Sequence, residues 1–186
     1  MDDESLTQLL RDARDGDSAA GNRAYALIYR RLHTAAQQQL RLRRERHATL
    51  TPTALVNEAW LKLSAARYEI SDREHYLAMA SAAMRQLVVD AARARASSKR
   101  GGDAVHVTLH EEVGGGDLDV GVLALEDALQ RLEKLDARLA QVVQYRYFGG
   151  LTEEEIARLL GVTDRTVRRD WRKARAFLHA ELRGTS

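Results

Sequence analysis

Apolar residues recur at intervals of three and four along most of the chain, and clean alternation with period two is nearly absent. That spacing lines one side of a helix and neither face of a strand, so the chain reads as all-α. A single proline among 186 residues leaves those helices free to run long. The predicted helices of the first half cover about Ser5 to Ala13, Ser18 to Arg46, Pro52 to Ala65 and Asp72 to Ser98. Asp15, Gly16 and Asp17 break the first pair, and Thr49 to Thr51 break the second. Thr51 stands where an N-cap belongs, with Pro52 at the first helical position, where its missing N–H costs nothing.

After Lys99 and Arg100 the pattern stops, and "GGDAVHVTLHEEVGGGD" follows with five glycines between Gly101 and Gly116. Glycine at that density marks a flexible join, with a short extended piece at Val105 to Leu109. The expected organisation is therefore two small helical domains, 1–100 and 123–186, with a flexible Gly-rich linker at 101–122. The second domain is expected to hold helices from about Leu123 to Leu135 and Asp136 to Tyr147, then two more separated by one turn.

Composition narrows the classes further. The chain has no cysteine, which excludes disulfides and thiolate metal sites. "MDDESLTQLL" is acidic where a secretory signal is basic, and no apolar run approaches the ~20 residues that span a bilayer. A cytoplasmic protein without a membrane partner is expected. Net charge is only +2, yet Lys and Arg are clustered in "RLRRERH", Arg41 to His47, and "RTVRRDWRKAR", Arg165 to Arg175. That clustering says more than the sum.

"LTEEEIARLLGVTDRTVRRDWRKARAFL", Leu151 to Leu178, is the most informative segment. Thr152 and Glu155 have capping-box spacing, three acids occupy the first turn, and Ile156, Ala157 and Leu160 make the buried stripe. Gly161 supplies a tight turn, Thr163 caps the next helix, and Val167, Trp171, Ala174 and Phe177 or Leu178 form its apolar side. Two helices so joined are the helix-turn-helix layout. Opposite the stripe lie Arg165, Thr166, Arg168, Arg169, Arg172 and Lys173, a face suited to phosphates and guanine edges. The competing reading is a solvated charged face on a surface helix.

Three stretches in fixed order resemble one family. "TALVNEAWLKL", "HYLAMASAAMRQLVVDAARARASSKRGG" and "LDARLAQVVQYRYFGGLTEEEIARLLGVTDRTVRRDWRKARAFL" resemble the extracytoplasmic-function (ECF) sigma factors of bacterial RNA polymerase. The resemblance covers nearly the whole chain and is weakest from Gly101 to Val122. It implies that 1–100 is sigma region 2, which docks on the polymerase β′ clamp helices and recognises and melts the minus-ten element. It implies that 123–186 is sigma region 4, which meets the β flap and reads the minus-thirty-five element. In the first half, Arg85, Arg93, Arg95, Lys99 and Arg100 give the fourth helix a basic side, compatible with DNA. A basic helix beside the loop Arg67 to Arg73 suits an unstacked base, although Tyr68, His75 and Tyr76 fit plain packing or solvent exposure equally well.

The resemblance also exposes a departure. In the family the docking helix opens with acids, close to D-A-E-D-L-V-Q-E-T-F-L-R-L, that pair with clamp arginines. This chain has Thr51, Pro52, Thr53 and Ala54 there, and only Glu58 keeps a negative charge. The implied polymerase-binding set is Thr51, Thr53, Asn57, Glu58, Trp60 and Lys62. Losing charge complementarity slows encounter and costs on the order of 2 to 5 kcal/mol where a pair is desolvated. Two explanations stand side by side. The edge relies on apolar contact with threonines as caps, or a Ser/Thr protein kinase restores the charge, with Thr51 as the phosphorylation site. Phosphothreonine carries roughly −1.5 to −2 charge, which free amides and the dipole of a helix N-terminus stabilise.

Other classes fare worse. His33, His47, His75, His106, His110 and His179 are scattered, "HEEVG" lacks a second histidine, and no glycine loop has phosphate-cradle spacing. No catalytic residue, metal site or cofactor is expected, and the chain reads as a non-enzyme. The remaining alternatives are a stand-alone helix-turn-helix regulator and an ECF sigma factor held by an anti-sigma factor.

Overall fold

The computed structural model describes residues 3–39, 51–65, 73–97, 106–109 and 118–183. The basic run at 41–47, the loop at 66–72, Lys99, Arg100 and His110 lie outside the described residues. The elements in chain order are α1 (Asp3–Arg14), α2 (Ser18–Gln39), α3 (Pro52–Ala65), α4 (Arg73–Ser97), β1 (His106–Leu109), β2 (Leu118–Gly121), α5 (Val122–Leu135), α6 (Ala137–Val143), α7 (Glu153–Leu160) and α8 (Asp164–Arg183). A π-helical turn, Gln144–Phe148, extends α6. The class is the expected all-helical one, with one short ladder added. β1 and β2 pair antiparallel, His106 opposite Gly121 and Leu109 opposite Leu118, within the glycine-rich join.

Local chemistry explains the boundaries. Asp17 caps α2 by accepting from the Ala19 and Ala20 amides at 2.8 and 3.0 Å. Thr51 caps α3, its Oγ1 accepting from the Ala54 amide at 3.1 Å. Asp136 separates α5 from α6 and accepts from the Arg138 and Leu139 amides. The Thr152–Glu155 capping box closes on both sides, and Gly161 ends α7 at φ 65°, where a side chain is strained.

One continuous core joins the elements. Ile28, Leu32, Leu55, Val56, Leu77, Met84 and Val88 fill the first half, while Leu125, Leu129, Leu132, Val143, Ile156, Val167 and Leu178 fill the second. Each such side chain contributes about 1.5 to 3 kcal/mol on full burial. Tyr76 is part of this packing, only 2% exposed and 6.0 Å from the Trp60 ring, so it cannot hold a base here.

The halves pack directly on one another. The π turn lies against α2 and α4, and α5 and α7 lie against α4. Gly149, which follows that turn, meets Ser81 of α4 so closely that a Cβ would collide with the Ser81 hydroxyl. Around that contact run ion pairs between residues far apart in sequence, Arg31 with Glu155, Arg73 with Glu155, Glu74 with Arg158 and Arg85 with Glu126.

Candidate functional site

Two surfaces carry the residues singled out by sequence. The first is the outer side of α3. Thr51, Thr53, Asn57, Glu58, Leu61 and Lys62 are exposed there, while Leu55, Val56, Ala59 and Leu63 face the core. No acid occupies the first turn. Trp60 is half-buried and belongs to an aromatic row rather than to the open edge. Its ring lies 5.1 Å from Tyr25, which lies 5.5 Å from Tyr29, which stacks on His33 at 5.1 Å. This row holds α3 on α2. The Tyr25 hydroxyl bonds to Asn57 Oδ1, and the Tyr29 hydroxyl and Thr53 Oγ1 are 3.3 Å apart. His33 Nε2 reaches the same Thr53 oxygen at 3.5 Å. The two threonines therefore differ: Thr51 caps the helix, whereas the Thr53 hydroxyl already meets two side chains of α2.

The second surface is α8. Val167, Ala174, Leu178 and Leu182 are buried, and Arg165, Arg168, Arg169, Arg172 and Lys173 are exposed on the other side. Thr166 is half-buried. Its amide donates to Thr163 Oγ1 at 3.2 Å, and the two hydroxyls are 3.0 Å apart, so it helps cap α8. The three-residue turn at 161–163 sets α7 across the start of α8, with the Val162 amide donating to the Ala157 carbonyl at 2.9 Å.

The arginines are not equivalent. Arg168 bonds to Asp164 and reaches Glu153 at 2.8 Å. Glu153 in turn accepts from Arg146 at 2.9 Å, and the Arg146 guanidinium lies 4.8 Å over the Trp171 ring. Arg168 and the Arg165 backbone hold the Asp164 carboxyl below the usual aspartate range. Arg169 lies 3.5 Å from Asp170, and that carboxylate, 1% exposed, is bound at 2.8 Å by Arg138 of α6. Asp170 is the residue the sequence reading missed. Its signal was its place among Val167, Trp171 and Ala174, on the stripe that should have been apolar.

The basic side of α4 is divided. Arg93 is exposed, 3.9 Å from Asp90, and the Arg95 backbone is helical. Arg85 is enclosed instead, donating to Glu126 at 2.8 and 3.1 Å and to Gln144 at 3.2 Å. Burial raises the Glu126 carboxyl, but hydrogen bonds from Arg85 and Gln130, with the charges of Arg85 and Arg93, outweigh it and hold it below the usual glutamate range. Among the described residues no cluster of histidines and acids could hold a metal ion, and no helix is long and apolar enough to cross a membrane.

These surfaces define a helical protein with a cationic face on α8 and an exposed α3 edge whose first turn carries no acid. A family model described as ECF sigma factor matches residues 3–184, and the chain belongs to the ECF sigma factor family. Its role is that of a sigma factor in transcription initiation, and the family implies RNA polymerase and promoter DNA as partners. None of the curated proteins matches the chain.

Proposed function

We propose that the chain directs initiation with two separable units, 1–100 binding core polymerase and the minus-ten element and 123–186 reading the minus-thirty-five element. The observation that carries the reading is α8, whose Arg165, Arg168, Arg169 and Arg172 are exposed on the side opposite the buried Val167, Ala174 and Leu178. α7 and α8 form the helix-turn-helix in this reading. Arg165, Arg169 and Arg172 contact DNA first, with Arg168 following once its carboxylate contacts yield. Arg93, Lys99 and Arg100 supply the minus-ten side. α3 docks on the β′ clamp through Thr51, Asn57, Glu58 and Lys62, the second unit meets the β flap, and the chain works as a non-enzyme in the cytoplasm.

Control in this reading acts on α3. The missing acids leave its exposed first turn neutral, and the Thr51 hydroxyl oxygen accepts from the Ala54 amide of that turn. A phosphate on Thr51, added by a Ser/Thr kinase, places negative charge at that turn without disturbing the Thr53 contacts to Tyr29 and His33. Fluorescence anisotropy with core RNA polymerase tests this. Protein carrying phosphothreonine at 51 is expected to bind at least about tenfold tighter than unmodified protein, a difference of about 1.4 kcal/mol. Equal, tight binding by both forms would retain the sigma role and transfer control to an anti-sigma partner. In cells, Thr51→Ala is expected to lose most promoter output, and full output from that variant would show that no kinase acts through Thr51.

A further inference from the structure

One carboxylate lies inside the helix that carries the basic face. Asp170 of α8 is 1% exposed, and two guanidiniums from different helices converge on it. Arg138 of α6 donates from Nε to Oδ2 at 2.8 Å, and Arg169 Nε stands 3.5 Å from Oδ1. At that distance the second contact is an ion pair only, and Oδ1 accepts no hydrogen bond among the described residues. A buried carboxylate satisfied on one side contributes little to stability, since an apolar side chain of similar volume often serves as well. What it does accomplish is to hold side by side two like charges that otherwise repel.

Two cations share one anion, so the arrangement carries surplus positive charge, and that surplus is at the surface. The side chains of Arg138 and Arg169 are 44% and 55% exposed. Each meets Asp170 through Nε, which leaves the Nη groups at the end of each fork for another acceptor. Lys173, also exposed, lies one turn beyond Arg169 on the same side of α8 and extends the positive surface. A phosphate diester, with a full charge and several oxygens, matches two forks set side by side. Asp170 stands about two turns into α8, and Arg138 belongs to a neighbouring helix. The first residues of a groove-reading helix meet base edges, whereas groups at its flank meet the backbone. We propose that Arg138 and Arg169 form a site for one DNA backbone phosphate beside α8, with Asp170 as the positioning residue that sets both guanidiniums. Arg138 thereby joins the DNA-contacting residues, and the buried carboxylate governs how α8 is seated on DNA. The inference rests on the reading of α8 as the helix that enters the major groove.

Arg138→Gln combined with Asp170→Asn tests it, because the double variant keeps the net charge and leaves no buried charge unpaired. Binding of promoter DNA by the chain with core polymerase is followed by fluorescence anisotropy over a range of salt, with an intact and with a scrambled upstream element. The double variant is expected to bind both DNAs about fivefold or more weakly, and the slope of log affinity against log salt is expected to fall by about one. Arg138→Lys gives a second reading. It also keeps the charge, but a single ammonium cannot hold the carboxylate and a phosphate together as the planar fork does. The same direction of change is expected there, with little movement of the urea unfolding midpoint in either variant. Unchanged affinity and slope in both variants overturns the phosphate site and leaves the reading of α8 intact. A loss confined to the intact upstream element places Arg138 at a base and overturns the site equally. So does a loss in the double variant that merely follows lost folding while Arg138→Lys binds normally. Binding by the unaltered complex that is indifferent to the upstream element overturns the reading of α8, and the site with it.

Discussion

Glu155→Ala is expected to lower the unfolding free energy by about 3 kcal/mol, the low end of the range for removing one partner of a buried ion pair. Glu155 is buried, with its side chain 7% exposed, and it answers two arginines, Arg31 and Arg73, which are 23% and 24% exposed. Those guanidiniums regain some water in the variant, which keeps the loss from the top of the range. The same carboxylate accepts from the Thr152 amide at 2.8 Å, closing the capping box. Glu155→Gln separates the two roles. Glutamine serves at that capping position, so this variant keeps the cap and loses only the charge, and it is expected to recover about 1 kcal/mol relative to alanine. Urea titration followed by the fluorescence of Trp60 and Trp171, one in each half, measures both. A loss below about 1 kcal/mol for alanine would mean that the pair contributes as little as an exposed one.

Arg172→Ala is expected to weaken promoter binding by the polymerase complex by about 1 to 3 kcal/mol, the range for a bidentate contact to a base edge. If Arg172 instead touches a phosphate, the loss is uniform across sequences and the slope of log affinity against log salt falls by about one. Comparing a consensus and a scrambled upstream element at two salt concentrations distinguishes these outcomes. Arg168→Ala is expected to cost less, because Arg168 must first leave Asp164 and Glu153. Those contacts are exposed and screened by water, so the ranking is Arg172 above Arg168 by a small margin. A larger loss at Arg168 would show that its carboxylate contacts persist in the complex and position the guanidinium.

What the sequence disclosed follows from the range of the forces involved. Caps and turns act over three or four residues, so Thr51, Pro52, the Thr152–Glu155 box and Gly161 could be read directly, and α3 and α7 begin where those residues place them. The apolar stripe of α8 was legible for the same reason. The π turn was not, because one extra residue per turn leaves the local apolar pattern almost unchanged and depends on how Phe148 enters the core. The Arg31–Glu155 pair joins residues 124 apart, a separation at which no periodicity carries information. Asp170 was hidden differently. It stands within "RRDWRK", where a charge looks solvated, and only the position of Arg138 on α6 gives it a partner in the interior. The closeness of Gly149 to Ser81 belongs to the packing of the halves and leaves no local signal.

These particulars bear on how a cationic helix and a neutral docking edge work together. α8 and the outer side of α3 are both exposed while the halves are joined, so in the proposed reading each is open to its own partner. Tethering then raises the effective concentration of the second site once the first is engaged.

In the proposed function, this chain confers promoter-specific initiation on core RNA polymerase. The most direct measurement is run-off transcription with purified core enzyme, a genomic promoter library and this chain as the sole initiation factor, using the unmodified and the Thr51-phosphorylated forms. Discrete transcripts are expected that require both the chain and core polymerase and that are more abundant with the phosphorylated form. Tight binding of either form to duplex DNA alone, with no transcript and no association with core polymerase, would contradict it and leave a stand-alone regulator.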